Sequence, residues 1–267
     1  MEKRTDKATK QIRLLVSVFL SLLGLIALFL IFFYLMQGEG QLSAGGSIHE
    51  KPLIVLDAGH GGFDGGAVAP DGMAEAEINL AFCRILKPIL ESYGFEVRLT
   101  RKDASSLEKP DAGSTIRAKK RSDMQNRLEM MQAQPGSIFI SIHQNASPYR
   151  SANGSVVYYS VSDPASKQLA EALQAAFIAH LQPENKRTAV AAGSNLYLLK
   201  NATGIAVLVE CGFLSHAEEY QKLKESDYQK AFCLTLAHTL AKELPQLVGG
   251  ETSSQQQEEI SSESISS

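Results

Sequence analysis

The chain has 267 residues, 44% of them hydrophobic, enough to bury one sizeable α/β domain with appendages. Its formal net charge of −3 combines a basic stretch ahead of residue 14 with a more acidic remainder, which excludes the basic surface that a nucleic-acid partner needs. An odd set of three cysteines, Cys83, Cys211 and Cys233, without paired spacing, excludes a disulfide framework and reads as small apolar core residues.

Residues 1–13 carry Lys3, Arg4, Lys7, Lys10 and Arg13 against Glu2 and Asp6. The next 23 residues, 14–36, hold no charge. As a helix they extend about 34 Å, enough to cross a ~30 Å hydrocarbon core. The expectation is one transmembrane anchor in the cell membrane, with the basic 1–13 segment in the cytoplasm and the rest of the chain extracytoplasmic. A cleaved signal peptide is the rival, because "LSAGG" at 42–46 offers small residues, although the apolar run exceeds the usual ~7 to 15. Residues 37–51 are polar and glycine-rich and predict a flexible tether. At the other end, 248–267 is mostly Ser, Gln and Glu and predicts a disordered tail.

The folded domain is therefore expected over 52–247. Apolar runs predict strands at 53–56, 95–99, 138–142, 155–160, 196–199 and 205–209. Between the first two, Ile78, Ala81, Phe82, Ile85, Leu86 and Ile89 fall on one helix face, and Pro88 should kink or shorten that helix. Asp163 and Pro164 supply the cap and first-turn proline of a second helix, with Leu169, Leu173, Ala176 and Phe177 facing inward. Another helix is expected over 228–244. Continuous apolar strands alternating with helices predict an α/β fold whose mostly parallel sheet is covered by helices on both faces.

In such folds ligands bind at the carboxyl ends of the strands. His60 follows the first strand inside "VLDAGHGGFDGG", His143 ends "SIFISIHQNAS", Glu210 ends "IAVLVECGF", and Glu75 opens the helix after the first strand. Two imidazoles and a carboxylate make the usual protein shell of a catalytic zinc, and a further carboxylate that is not a ligand would serve as base. Each has a plainer reading: a turn residue for His60, a hydrogen-bonded strand end for His143, and a first-turn acid for Glu75, with Glu77 competing for its role. The plain reading is weakest for Glu210, whose carboxylate is costly to bury among apolar neighbours without a partner. His180 and His238 read as core histidines, His49 lies in the tether, and His216 sits beside a helix start.

The segments "IVLDAGHGG", "EAEINLAF", "EVRLTR", "FISIHQNAS" and "VLVECGFLS", in this order, resemble the zinc-dependent N-acetylmuramoyl-L-alanine amidases of the type 3 family over residues 53–244. The resemblance implies a Zn2+ ion held by His60, Glu75 and His143, and Glu210 as the catalytic acid and base. It implies peptidoglycan as substrate, cut between N-acetylmuramic acid and L-alanine. Within the family the single anchor and the long 101–127 insertion look most like the germination-specific amidases of spore formers. That likeness implies action on spore cortex on the way to muramic δ-lactam, with a protein activator or a deacetylase in the same pathway. Ala58 stands where the family often has proline, "EAE" replaces the commoner "EKD", and Gln144 replaces a small residue next to the second histidine, where it is expected to alter what the pocket admits.

Two other readings use the same residues. A zinc peptidase acting on another cell-wall amide needs the same four side chains, and a non-catalytic wall-binding or regulatory domain would retain the fold alone. Arg117, Lys119, Lys120 and Arg121 in the insertion read as a solvated face, with contact to an anionic glycan or a partner as the alternative. Asn126 and Arg127, on the following helix, read as structural.

Overall fold

A computed structural model describes residues 21–22, 24–26 and 52–263. The expected anchor lies outside the described residues except for helical positions at 21–22 and 24–26, and the tether lies wholly outside them. Among the described residues no helix is long and apolar enough to cross a membrane.

In chain order the elements are β1 (Ile54–Ala58), α1 (Glu75–Ser92), β2 (Val97–Leu99), α2 (Ile116–Gln132), β3 (Ile138–Asn145), β4 (Val156–Tyr159), α3 (Pro164–His180), β5 (Val190–Ala191), α4 (Tyr197–Lys200), β6 (Ala206–Phe213), α5 (Ala217–Lys224) and α6 (Ser226–Glu263). The sheet runs β2-β1-β3-β6-β4-β5. It is mixed: β1 pairs parallel with β2 and β3, and β3 with β6, while β4 runs antiparallel to β6. The continuous apolar pattern of the central strands fits their burial, since every residue of β1 is buried.

Helices cover both faces, as the pattern predicts. On one, α1, α3 and α6 bury Phe82, Phe177 and Phe232, whose rings meet edge-on and stacked. On the other, α2 and α4 cover Val55, Phe139 and Leu208 with Met131, Leu198 and Leu199. Cys83, Cys211 and Cys233 are buried free thiols, in keeping with their reading as core residues.

Several elements differ from the pattern. The expected strand at 196–199 is instead the short helix α4, because four apolar residues carry no period that separates strand from buried helix. Helix α1 continues through Pro88 to Ser92; the proline removes only one main-chain bond, and buried Leu86 and Leu90 hold the last turns against the core. The backbone of α6 remains helical through 249–263, where composition predicts disorder; Gln and Glu are good helix formers and no proline follows Pro245. His180 and His238 are exposed rather than in the core, with His238 edge-on to the Tyr93 ring. Asp163 caps α3 by accepting a bond from the Ala165 N–H, and His216 caps α5 by accepting one from the Glu219 N–H.

Candidate metal centre and active site

Parallel register carries the four candidates to one edge. His143 lies on β3 directly beside Glu210 on β6, so the fold sets the spacing of this pair independently of any loop. His60 comes from the turn after β1, the strand on the other side of β3, and Glu75 from the first turn of α1. Glu75 Oε2 is 3.3 Å from His60 Nε2 and Glu75 Oε1 is 2.9 Å from His143 Nδ1. One ligand atom from each residue lies within 4.8 Å of the others.

The glycines around His60 make this approach possible. A Cβ at Gly59 would collide with the His143 ring, and one at Gly66 would meet both the Glu75 carboxylate and the His60 ring. His60 itself has φ 61°, a conformation that costs a non-glycine residue about 1 to 2 kcal/mol. Its carbonyl is held by Arg127 Nη2 at 2.6 Å, and the flanking Gly61 and Asp64 exchange backbone hydrogen bonds.

Glu75, not Glu77, enters the cluster. The Glu77 side chain turns back to accept a bond from the Ala74 N–H, so it closes the end of α1. Glu75 is 4% exposed and well supplied with donors: Asn79 Nδ2 at 3.2 Å and the Gln144 N–H at 3.1 Å on Oε1, and the Ala67 N–H at 2.9 Å on Oε2. Burial pushes its carboxyl upward, but the hydrogen bonds and charges of His143 and His60 prevail and hold it well below the usual carboxylate range. For His60, burial opposes protonation, and the bonds to Asp64 and Glu75 prevail to raise it to about 9.

Three participants were not read from the sequence as site residues. Asp64 Oδ2 stands 3.2 Å from His60 Nδ1 and accepts its N–H, so that Nε2 is the ring atom turned toward Glu75 and available to a metal once it gives up its proton. Asn79, fully buried, ties Glu75 to the Gly59 carbonyl. Arg101 donates to the carbonyls of Ala58, Gly59 and Ala76, joining the histidine turn to the start of α1. Their signals were present only as a polar residue four after His60, another four after Glu75, and the last residue of "EVRLTR". Gln144 is 2% exposed and bonds Asn79, so it lies behind the cluster and not in the adjoining cavity, contrary to the expected effect on the pocket. Asn126 donates to the Leu107 carbonyl and Arg127 is wholly buried, both structural as their positions suggest.

Two imidazoles and a carboxylate are a fitting donor set for a divalent ion. Donors about 2.1 Å from one tetrahedral ion lie about 3.4 Å apart. Glu75 stands at 2.9 and 3.3 Å from the two imidazoles through its two oxygens, and a set of one atom per residue falls within 4.8 Å, so the side chains need only draw inward to close on one ion. Glu210 stands outside this set. Its Oε2 is buried with no hydrogen-bond partner. Burial raises its carboxyl to about 7, the neighbouring Glu75 charge adds to this, and His143 and His60 oppose it.

That shift carries a sign for stability. Between an ordinary glutamate value of 4.5 and about 7, the folded chain keeps a proton that the unfolded chain has released. The metal-free protein is therefore expected to lose stability as pH rises through this window, and Glu210→Gln to flatten that part of the slope. Chelated wild type and variant whose melting temperatures change in parallel from pH 4.5 to 7 would contradict the burial of this carboxyl.

The model of the family described as N-acetylmuramoyl-L-alanine amidase matches residues 54–242. The germination-specific N-acetylmuramoyl-L-alanine amidase of Bacillus subtilis is 28% identical over 208 residues, 78% of this chain and 86% of that protein. The amidase LytC of the same organism is 30% identical over 178 residues, 66% of this chain and 32% of that protein. Among solved structures, the CwlD amidase from Clostridioides difficile, determined in complex with the GerS lipoprotein, superposes with a TM-score of 0.69 at 35% identity, over 73% of this chain and 99% of that one. The buried strands, the order of the motifs and the match over most of the folded region agree: the chain belongs to the N-acetylmuramoyl-L-alanine amidase family.

Proposed function

We propose that the chain is a zinc-dependent amidase that hydrolyses the bond between the lactyl group of N-acetylmuramic acid and the L-alanine of the stem peptide, with His60, Glu75 and His143 holding the metal and Glu210 moving the proton. The observation that carries this reading is the partnerless Glu210 Oε2 beside a tightly gathered His, Glu and His. A structural carboxylate would have a donor, whereas a base must keep a free lone pair for its substrate.

Zinc, when bound, supplies a Lewis acid that polarises the scissile carbonyl and makes water more acidic. The chain's own residues do the rest. Glu210 takes a proton from the attacking water as its oxygen bonds to the carbonyl carbon. As the C–N bond breaks, Glu210 returns that proton to the alanine nitrogen, leaving a free carboxylic acid on the sugar and a free amino terminus on the peptide. Asp64 holds the His60 ring in one tautomer, and Asn79 with the Gln144 N–H holds Glu75. Digestion of purified peptidoglycan is expected to release new amino-terminal L-alanine, to stop on chelation and to resume with zinc. A different new terminus would favour the peptidase reading.

The germination-specific relative and the superposition on CwlD support a narrower reading, in which the substrate is spore cortex and the product leads to muramic δ-lactam. Spores lacking this chain are then expected to contain no lactam in their muropeptides; wild-type amounts would rule the cortex role out. That neighbour was determined in complex with a lipoprotein, which supports a protein partner for this chain, and we read that partner as an activator. Anchoring by residues 14–36, with the domain outside the membrane, belongs to the same proposal and rests on the uncharged run.

A further inference from the structure

The basic run of the insertion is solvated, with Arg117, Lys120 and Arg121 exposed, but it is not detached from the His60 loop. It occupies the first turns of α2, and two of its lysines turn back over the His60 loop. Lys119 Nζ stands 5.7 Å from the centre of the Phe63 ring, and Lys120 Nζ lies 3.0 Å from Asp64 Oδ1, the carboxylate whose other oxygen meets His60 Nδ1. Lys120 also lines a cavity of about 270 Å³ that opens beside His60 and His143 and is walled by Phe63, Met124 and Tyr197.

This arrangement does more than pair one surface charge. An exposed lysine ordinarily loses side-chain entropy on gripping an anion. Here Asp64 already fixes the ammonium, a carboxylate's width and two hydrogen bonds away from a metal-binding imidazole. The other two N–H donors of Lys120 remain, and half of its side chain is accessible. The buried acids lining the same cavity are spent: Asp57 and Asp123 are both paired with Arg127. Of the basic run, Lys120 is the residue that lines this cavity, and its remaining N–H donors are the cationic groups there that are not already spent.

We propose that Lys120 is a specificity-determining residue that binds a carboxylate on the peptide side of the scissile amide, so that the enzyme prefers an anionic stem. The proposal rests on the amidase reading for its substrate, and its test separates the two. The full chain, loaded with zinc, is given two N-acetylmuramoyl-L-alanyl peptides that differ only in a carboxylate or a carboxamide on the residue after alanine. Wild type is expected to favour the carboxylate by about tenfold in kcat/KM, through KM, the size of one charge-assisted hydrogen bond at a half-exposed site.

Lys120→Gln should bring the carboxylate substrate down to the level of the carboxamide, and Lys120→Arg should keep most of the preference. Equal loss on both substrates would mean that Lys120 only supports Asp64, and no preference in wild type would likewise overturn the proposal. Calorimetric binding of the same two peptides reads the preference without turnover. A preference that Lys120→Gln abolishes, in a chain that cuts neither peptide, would uphold the subsite while sinking the amidase reading; equal binding would sink the subsite.

Discussion

Glu210→Gln is expected to lower kcat on muramyl-L-alanine amides by about a thousandfold, within the 10²–10⁴ that general acid–base catalysis supplies, while the chain keeps its zinc. The amide has the shape of the carboxyl but takes no proton at neutral pH, so water is no longer deprotonated and the departing nitrogen no longer receives a proton. Because Oε2 has no donor in the resting fold, the change breaks no hydrogen bond at that atom. It removes the buried charge that costs stability above pH 7, so the variant should melt no lower than wild type. Single-turnover hydrolysis with zinc analysis of the same sample checks this. Near-normal turnover would remove Glu210 from the mechanism, and loss of zinc would make it a ligand instead.

Arg127→Met is expected to be the most damaging single change outside the cluster, lowering stability by about 3 to 5 kcal/mol. Arg127 and Asp57 are both fully buried and ion-paired, and Asp57 also accepts from Thr100 at 2.7 Å and from Ser141 at 2.6 Å. Burial pushes the Asp57 carboxyl up, and the Arg127 charge with the two hydroxyls prevails and lowers it. Methionine would leave that carboxylate charged and unpaired, and would release the carbonyls of Ala58 and His60 that Arg127 holds. For a domain of about 200 residues such a loss lowers Tm by roughly 10 °C. A thermal melt checks it, and Arg127→Met with Asp57→Asn should recover part of the loss by removing the stranded charge. A decrease below about 1 kcal/mol in the single variant would show that this network does not anchor the His60 turn.

The contrast between His60 and Arg127 shows what a sequence discloses here. His60 is conspicuous because glycine surrounds it at the end of an unbroken apolar strand, and a parallel sheet places such strand ends together. His143 and Glu210 are legible for the same reason, and they sit side by side in register. Glu75 and Glu77 cannot be separated by spacing alone, because both fall in the first turn; a hydrogen bond back to Ala74 decides between them. Asp64, Asn79 and Arg101 carry no periodic signal. Their roles arise from contacts with main-chain carbonyls and with groups brought close only by folding.

The fold follows the same division. Strands and helices with long, consistent apolar faces are found where the pattern puts them, whereas the four residues of α4 were ambiguous and the antiparallel pairing of β4 with β6 leaves no mark within either strand. The role of Lys120 was equally hidden. Nothing in a cluster of basic residues tells which of them a neighbouring helix will aim at a histidine.

The most direct test of the metal centre is the zinc-to-chain ratio of the purified full chain and of its His60→Ala and His143→Ala variants, measured after equilibration with limiting zinc. A ratio near one in wild type and near zero in both variants is the expected result. Active wild type without zinc, or variants that bind as much as wild type does, would contradict the metal centre on which the proposed chemistry depends.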